Sequence, residues 1–406
     1  MNERRSAVQA GLRRLPAALA LLLFYGVLTI WVKERWAVGL LQAGAFLLGM
    51  AWTAGWAFGK IPFRGSCLLL PFAGAVAWGL LQLLLGATVY RFDTWEAVLF
   101  WGTIFVLVFL SLQTLREDAV RRAFLRALFY FGFAISVLAT TQYFTSGGKV
   151  FWLFPSGYED AMGPFVYRNN YAAFIELLLP LAILEALRDR RRAIPHSIMA
   201  GVMYASVVAS ASRAGALLAT IEVLVVLALA LWKRLVSRRR LGVAMLAILA
   251  SAAIFTGVVG WRVLLDRFKQ PDPFVHRREM LQSALAMARE RPSMGFGLGS
   301  FQEAYPAYAT FDIGLVVNHA HNDWAEWLAE GGVPFLLMLG SVALWSAAPA
   351  FRSIWGLGLI SVFLHALVDY PMQRLGLAAC VFVLLATLAA EDRDRRRTAA
   401  PQRVVL

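Results

Sequence analysis

One apolar run decides the fold class; residues 214–232 read AGALLATIEVLVVLALALW, with Glu222 as the single charged residue. A helix of about 20 apolar residues crosses the roughly 30 Å hydrocarbon core of a bilayer. No water is available there, so every backbone N–H and C=O group must be paired within the segment. The run therefore predicts a transmembrane helix.

Similar apolar runs recur along the chain between short charged clusters. Together they predict twelve spans, at about 15–32, 36–58, 67–88, 95–114, 123–144, 170–187, 195–211, 214–232, 241–261, 333–350, 354–370 and 371–390. Sixty per cent of the residues are apolar and only 16% are charged, whereas soluble chains carry roughly 25% charged residues. We expect an all-α polytopic membrane protein with about 12 transmembrane helices.

The Lys and Arg residues of the short loops alternate between the two sides, and this bias sets membrane orientation. It places both termini in the cytoplasm and the polar segment 262–332 on the outer face. We divide the chain into residues 1–261 with nine spans, the loop 262–332, and residues 333–406 with three spans and a cytoplasmic tail. The net charge of +14 follows these topology signals. No basic surface with interleaved aromatic residues is apparent, so nucleic acid is not an expected partner.

The polar segment carries its own excess of arginines, although long translocated loops are exempt from the charge rule. These arginines are therefore candidates for binding an anionic ligand. We predict one helix over Arg277–Arg291, ending before Pro292 and a glycine turn at residues 295–299, and a second over Asn318–Glu330.

The strongest candidate for chemistry is His321, which Asn322 and Asp323 follow directly. A neutral imidazole can take a proton from an attacking hydroxyl group. The alternative is a histidine that only caps or solvates the segment. His319, two residues earlier, competes for the same role.

Four arginines are candidates for binding phosphate oxygens, because a guanidinium donates two parallel hydrogen bonds. Arg213 lies at the predicted outer membrane boundary, where it either snorkels or meets an anion. Arg277 and Arg278 begin the first loop helix and alternatively form a solvated face. Arg168, beside two asparagines, is a candidate for a further contact.

Several ionisable residues fall inside or near predicted spans, and such residues are functional candidates by default. His365 and Asp369 lie one helical turn apart, and a structural polar pair is the alternative explanation. Glu176 and Glu222 lie within spans. No carboxylate cluster predicts a divalent metal site, so we expect neither a metal nor another cofactor.

Several motifs together resemble the O-antigen ligase and O-antigen polymerase superfamily of bacterial envelope glycosyltransferases. The matching pieces are YRNNYAAFIELLLP at 167–180, SRAG at 212–215, Arg277 followed by AMARERP at 286–292, GFGLGSF at 295–301, and HAHNDW at 319–324. These pieces are distributed over roughly the C-terminal 60% of the chain.

The resemblance implies a metal-independent membrane glycosyltransferase of the GT-C type in the bacterial inner membrane, with its active site on the periplasmic face. Its donor is expected to be a glycan on undecaprenyl pyrophosphate, and its acceptor lipid A-core or another glycan. The family's ligase motif falls on His321, Asn322 and Gly332, with Phe335 in place of the family's last glycine. Arg213 and Arg277 are expected to hold the pyrophosphate, and His321 to activate the acceptor hydroxyl.

These motifs concern the donor, so the acceptor stays open between a ligase, a polymerase and a transferase to protein. The alternatives from other classes are a transporter or flippase of lipid-linked glycans and a non-catalytic scaffold. Transporters typically contain internal repeats and interrupted helices, and no convincing repeat is seen in this sequence.

Overall fold

The computed structural model describes residues 14–59, 61–259, 275–311, 314 and 316–399. Within these residues it contains fourteen α-helices: α1 (Leu15–Leu28), α2 (Arg35–Ala57), α3 (Leu69–Leu85), α4 (Arg91–Thr114), α5 (Asp118–Thr145), α6 (Arg168–Arg188), α7 (Ala193–Ala209), α8 (Arg213–Trp232), α9 (Arg238–Val259), α10 (Val275–Glu290), α11 (Phe301–Ala304), α12 (Asp323–Ser353), α13 (Leu357–His365) and α14 (Leu375–Ala399). A short antiparallel hairpin, β1 (Lys149–Val150) and β2 (Phe154–Pro155), lies between α5 and α6.

Eight helices in the described part of the chain are long and apolar enough to cross a membrane: α2, α4, α5, α6, α8, α9, α12 and α14. Three others, α1, α3 and α7, are apolar but have only 14 to 17 residues. The predicted span 354–370 contains α13, a helix of nine residues. The all-helical polytopic fold is confirmed, whereas the count of twelve spans and the GT-C type stay predictions.

The centre of the bundle is formed by α6 and α14. Every residue of α6 from Asn169 to Leu187 is buried, and α6 packs against α5, α7, α8 and α13. Of its buried residues only Glu176 and Glu185 are acidic, so nearly the whole helix surface offers apolar contact to its neighbours. The first turn of this buried helix carries polar residues that reach the candidate site.

Basic residues gather at the opposite end of the bundle from that turn. Arg64, Arg116 and Arg393 line one small cavity there, and Arg121 pairs with Asp394 at 2.9 Å. These residues belong to the loops that the charge bias assigns to the cytoplasm.

The described part of the polar segment has a small apolar core of its own, formed by residues of α10, α11 and the first turns of α12. The first predicted loop helix is observed as α10. The second begins at Asp323 and continues into the predicted span 333–350, with a kink at Gly332, whose φ is +68°. The beginning of the polar segment, including Arg262, lies outside the described residues.

Candidate active site

The glycine-rich turn at residues 295–299 fixes the polar segment to α12. Gly295 has a φ of +69°, and a Cβ atom there would lie 2.2 Å from the carbonyl oxygen of Glu330. The backbone N–H groups of Phe296 and Gly297 donate to the carbonyls of Ala329 and Glu330, both at 3.0 Å. The turn needs glycine because two backbones meet here in van der Waals contact.

Helix α3 holds this turn from the other side. The Gln82 amide donates to the Glu330 carbonyl at 2.8 Å, and its oxygen accepts from the Leu298 N–H at 3.0 Å. The Trp78 indole donates to the Gly331 carbonyl at 2.9 Å. These contacts join the inner face of a helix of the N-terminal third to α12.

Asn322 caps α12 and also anchors it to the segment after α13. Its Oδ1 accepts from the Ala325 N–H at 3.0 Å, as an N-cap residue typically does. Its Nδ2 donates to the Leu367 carbonyl at 2.7 Å, and the Asp323 N–H donates to the Ala366 carbonyl at 2.9 Å. Both ends of the Asn322 amide thus orient the chain beside His321, and its role in substrate binding stays a prediction.

His321 has an unusual backbone conformation, with a φ of +50°. Such conformations cost roughly 1–3 kcal/mol in non-glycine residues and persist where the surroundings impose them. Glu326 helps to impose this one, because its carboxylate accepts from the Ala320 N–H at 2.7 Å and lies 2.9 Å from His319 Nδ1. His319 is thereby engaged with Glu326, and its ring stacks on Tyr370 at 4.4 Å.

The Nδ1 atom of His321 faces two side chains of other elements. It lies 3.3 Å from Oδ1 of Asp369 and 3.4 Å from the Tyr167 hydroxyl. The side chain of Asp369 is only 1% exposed, whereas that of His321 is 23% exposed. The carboxylate thus contacts the inner edge of the imidazole, while part of the ring remains accessible.

Arg277, at the start of α10, contacts the same two side chains. Its guanidinium donates to the Tyr167 hydroxyl at 3.0 Å and to the Val368 carbonyl at 2.6 Å, and it lies 3.4 Å from Oδ2 of Asp369. His321 and Arg277, which the sequence identified separately, therefore share one carboxylate and one phenol.

Two further residues complete this cluster. The Asn169 amide donates to Oδ2 of Asp369 and, at 3.1 Å, to the Tyr167 hydroxyl. The Tyr370 N–H donates to Oδ1 of Asp369 at 3.0 Å. The Tyr370 ring stacks on Tyr167 at 5.4 Å and meets the His321 ring edge-on at 4.8 Å.

These contacts determine which groups in the cluster are charged. Burial alone would raise the pKa of Asp369, but the hydrogen bond with His321 and the charge of Arg277 outweigh it and hold that pKa below its usual value. Burial would lower the pKa of Arg277, but the Asp369 carboxylate outweighs it and raises that pKa. Burial, followed by the Asp369 charge, raises the pKa of Tyr167. The cluster therefore contains a carboxylate, a guanidinium and a neutral phenol.

Arg213 and Arg168 bring more positive charge to this end of the bundle. Ser212 caps α8 by accepting from the Gly215 N–H at 3.2 Å, which fixes the start of the helix next to Arg213. The Arg213 guanidinium is close enough to those of Arg277 and Arg168 for like-charge repulsion. Arg168 is also paired with Asp160. Three guanidinium groups that act on one another at one end of the bundle favour a polyanionic ligand there.

The fourth arginine of the predicted set, Arg278, is exposed on α10. Neighbouring helix positions face different directions, so Arg278 lies on a different side of α10 from Arg277. Its part in substrate binding stays a prediction.

A buried histidine–glutamate pair lies in the bundle near the cluster. His365 Nδ1 is 3.0 Å from Oε1 of Glu176, and both side chains are 0% exposed. His365 is thus paired with Glu176, whereas Asp369 contacts His321 and Arg277. The sequence suggested that His365 and Asp369 form a polar pair with each other. The structure differs, because each of the two residues has other partners.

Four residues of the cluster are not among the site residues predicted from the sequence: Tyr167, Asn169, Asp369 and Tyr370. Asp369 is an ionisable residue at the end of a predicted span, and Tyr167 and Asn169 lie in the YRNN motif. Tyr370 had no signal beyond its place in a turn. Within the described residues, no group of three or more His, Cys, Asp or Glu side chains has an arrangement that would hold a metal ion.

The fold and the site define a polytopic, all-helical membrane protein with a histidine–carboxylate pair and clustered arginines at one end of its bundle. Residues 198–340 match the family model described as O-antigen ligase, in agreement with the resemblance to the O-antigen ligase and polymerase superfamily. The match runs from α7 to α12 and includes Arg213, Arg277 and His321. No curated protein gave a match to the chain. The family implies a glycosyltransferase-like enzyme that acts on a lipid-linked glycan.

Proposed function

We propose that the protein is an O-antigen ligase-type inverting glycosyltransferase. It moves a glycan from undecaprenyl pyrophosphate to a hydroxyl of lipid A-core, at the periplasmic face of the bacterial inner membrane. One observation carries the proposal: Asp369 contacts both His321 and Arg277, so a candidate base and a candidate phosphate ligand share one buried carboxylate.

The base in this mechanism is His321. Oδ1 of Asp369 accepts a hydrogen bond from Nδ1–H, which leaves the lone pair of Nε2 for the substrate, as in other carboxylate–histidine pairs. Nε2 removes the proton of the acceptor hydroxyl while the hydroxyl oxygen attacks the anomeric carbon. The bond from that carbon to the pyrophosphate oxygen breaks, and the electron pair leaves with undecaprenyl pyrophosphate. Attack opposite the leaving group inverts the anomeric centre.

The arginines stabilise the leaving group. Charge develops on the pyrophosphate as the glycosidic bond breaks, and fixed guanidinium groups lower the energy of that state without reorganising. Arg277 is fixed by Tyr167 and Val368. Arg213, at the start of α8, and Arg168 supply the remaining positive charge. A positioned base typically contributes about 10²–10⁴-fold to the rate. In this mechanism, stabilisation of the leaving group by the arginines supplies most of the remaining rate enhancement.

Reconstituted protein tests this proposal directly. We expect His321→Ala and Arg213→Ala each to reduce the rate of glycan transfer from the lipid-linked donor by about a hundredfold or more. His276→Ala and Arg289→Ala are the matched controls, since both residues are exposed on α10. Full transfer by the first two variants would overturn the enzyme mechanism and favour the transporter class.

A polymerase of the same superfamily is the second candidate, because its donor and leaving group are identical. Lipopolysaccharide from a deletion strain separates the two activities. Loss of all capped core, with accumulation of long lipid-linked polymer, is expected for a ligase. Core capped with single repeats would identify a polymerase.

A further inference from the structure

A second cavity lies beside the candidate active site and shares a wall with it. It has a volume of about 200 Å³. Its lining comes from the α1–α2 loop, the segment before α6, the first turn of α6, the segment before α12 and the segment before α14: Trp31, Lys33, Tyr158, Asn170, Asn318 and Arg374, together with the shared wall of Tyr167 and Tyr370. The proposed mechanism assigns no role to these six residues.

Asn170 is the clearest sign that this cavity receives a ligand. The residue is only 3% exposed, yet its side-chain oxygen has no hydrogen-bond partner among the described residues. A buried polar atom left unpaired costs roughly 1–3 kcal/mol, so such atoms are rare unless something else satisfies them. Asn169, one position earlier, reaches Asp369 instead, so the two neighbouring amides serve two different sites.

The remaining lining has the chemistry of a sugar site. Two aromatic side chains, Trp31 and Tyr158, provide apolar surface for a sugar ring, and the amides of Asn170 and Asn318 provide groups that pair with hydroxyls. Trp31 is held in place by the hairpin, because its ring packs on Phe154 at 4.6 Å. Lys33 and Arg374 add two positive charges that are separate from the arginines proposed for the pyrophosphate.

The shared wall determines which substrate the cavity serves. The Tyr167 hydroxyl accepts from Arg277, while the Tyr167 residue lines the cavity. The His321 ring lies 4.8 Å from Tyr370 and 5.8 Å from Tyr167. A ligand in the cavity is therefore separated from His321 by little more than the aromatic ring of Tyr167 or Tyr370. A cavity of 200 Å³ is too small for a polyprenyl chain and a glycan together.

We propose that this cavity binds the acceptor saccharide, and that the group it recognises on that saccharide carries a negative charge. This inference rests on the proposed function, because it assigns the cavity to the acceptor of that reaction. Asn170 is satisfied by a sugar hydroxyl, and Lys33 and Arg374 pair with the anionic substituent. The N-terminal third thus determines acceptor specificity through the α1–α2 loop.

Steady-state kinetics with the full-length protein in nanodiscs test the assignment. The acceptor is lipid A-core from the deletion strain, and hydrolysis of the donor without acceptor is measured in parallel. We expect Asn170→Ala and Lys33→Ala each to raise the KM for acceptor about tenfold. A change of this size corresponds to the loss of one charge-assisted or buried hydrogen bond. The KM for donor and the rate of donor hydrolysis should change less than twofold.

Lys149→Ala is the matched control, because Lys149 is exposed on β1 and does not line the cavity. Asn170→Asp keeps the size of the side chain, so it remains informative if the alanine variant fails to fold. It should raise the KM for acceptor at least as much, because it brings a negative charge toward the anionic group. An unchanged KM for acceptor, or a raised KM for donor, would overturn the assignment.

Competition identifies the chemistry of the ligand. Methyl glucuronoside should inhibit transfer competitively with the acceptor and more strongly than methyl glucoside, which lacks the carboxylate. Inorganic phosphate should inhibit less than methyl glucuronoside. Equal inhibition by the two sugars would refute the negative charge, and equal inhibition by phosphate would refute the saccharide. If His321→Ala retains transfer, the proposed function fails, whatever these variants do.

Discussion

The Nδ1 atom of His321 lies 3.3 Å from Oδ1 of Asp369, and a main-chain contact holds the two segments together. The N–H of Asp323, two residues after the histidine, lies 3.2 Å from the carbonyl oxygen of Asp369. The carboxylate and the imidazole are thus fixed relative to one another by main chain as well as by side chains, as preorganised catalysis requires.

Replacing the carboxylate should therefore affect turnover more than binding. In Asp369→Asn the amide has the same shape, but it cannot hold the imidazole in the tautomer with a free Nε2. We expect kcat for glycan transfer to fall by roughly 10³–10⁴-fold, as at other carboxylate–histidine pairs, with a smaller change in the KM for donor. Glu303→Gln, an exposed carboxylate on α11, serves as the comparison. A kcat within tenfold of the wild type would remove Asp369 from the mechanism.

The same carboxylate should make stability depend on pH in acid. The folded protein holds the pKa of Asp369 below its ordinary 3.8, so its stabilising contribution is complete above that pH. It is lost as pH falls through the lowered folded value. The apparent unfolding temperature of Asp369→Asn should lie below that of the wild type by a constant amount between pH 5 and 8. The gap should shrink below pH 3.8, and a gap that widens in acid would contradict the ionised carboxylate.

Arg277 should not be replaceable by lysine. Its guanidinium contacts the Val368 carbonyl, the Tyr167 hydroxyl and Asp369 at once, and an ammonium group lacks that planar fork. We expect Arg277→Lys to reduce kcat for transfer by about 10²-fold or more. Arg289→Lys, at an exposed position near the end of the same helix, should leave transfer within about twofold. Unchanged transfer by Arg277→Lys would show that positive charge alone is sufficient at this position.

The buried pair of Glu176 and His365 should govern stability. Glu176→Leu leaves the His365 ring without its partner in the middle of the bundle, and breaking a buried pair costs about 3–5 kcal/mol. The combined variant Glu176→Leu/His365→Leu should recover most of the loss in apparent unfolding temperature. Arg35→Ala, which breaks an exposed pair with Glu96, should cost at most about 1 kcal/mol. No recovery in the double variant would indicate a role beyond mutual pairing.

Glycan transfer by the purified protein should continue in the presence of a chelator. The proposed mechanism neutralises the leaving group with guanidinium groups, so EDTA should change the transfer rate less than twofold. Strict dependence on an added divalent cation would refute this account of leaving-group stabilisation.

Periodicity and apolar length were sufficient to predict the helical bundle. The run 214–232 corresponds closely to α8 (Arg213–Trp232). The sequence also identified His321 and Arg277 individually. Their partner Asp369 was not predicted, because no local pattern distinguishes a carboxylate that faces a histidine of a distant loop from one that faces its own neighbour, His365. Tyr167 was missed for a similar reason, since a phenol acquires its role only from the groups that fold around it.

The Gln82 amide, which contacts both the glycine turn and α12, has a consequence for how this protein is divided or recombined. Residues 198–340 match a family model, yet their geometry depends on a side chain more than a hundred positions upstream. The region that matches the family model is therefore smaller than the unit that folds, which includes Gln82. A chimera joining residues 198–340 to a foreign N-terminal bundle should assemble only where that bundle presents an amide at the position of Gln82.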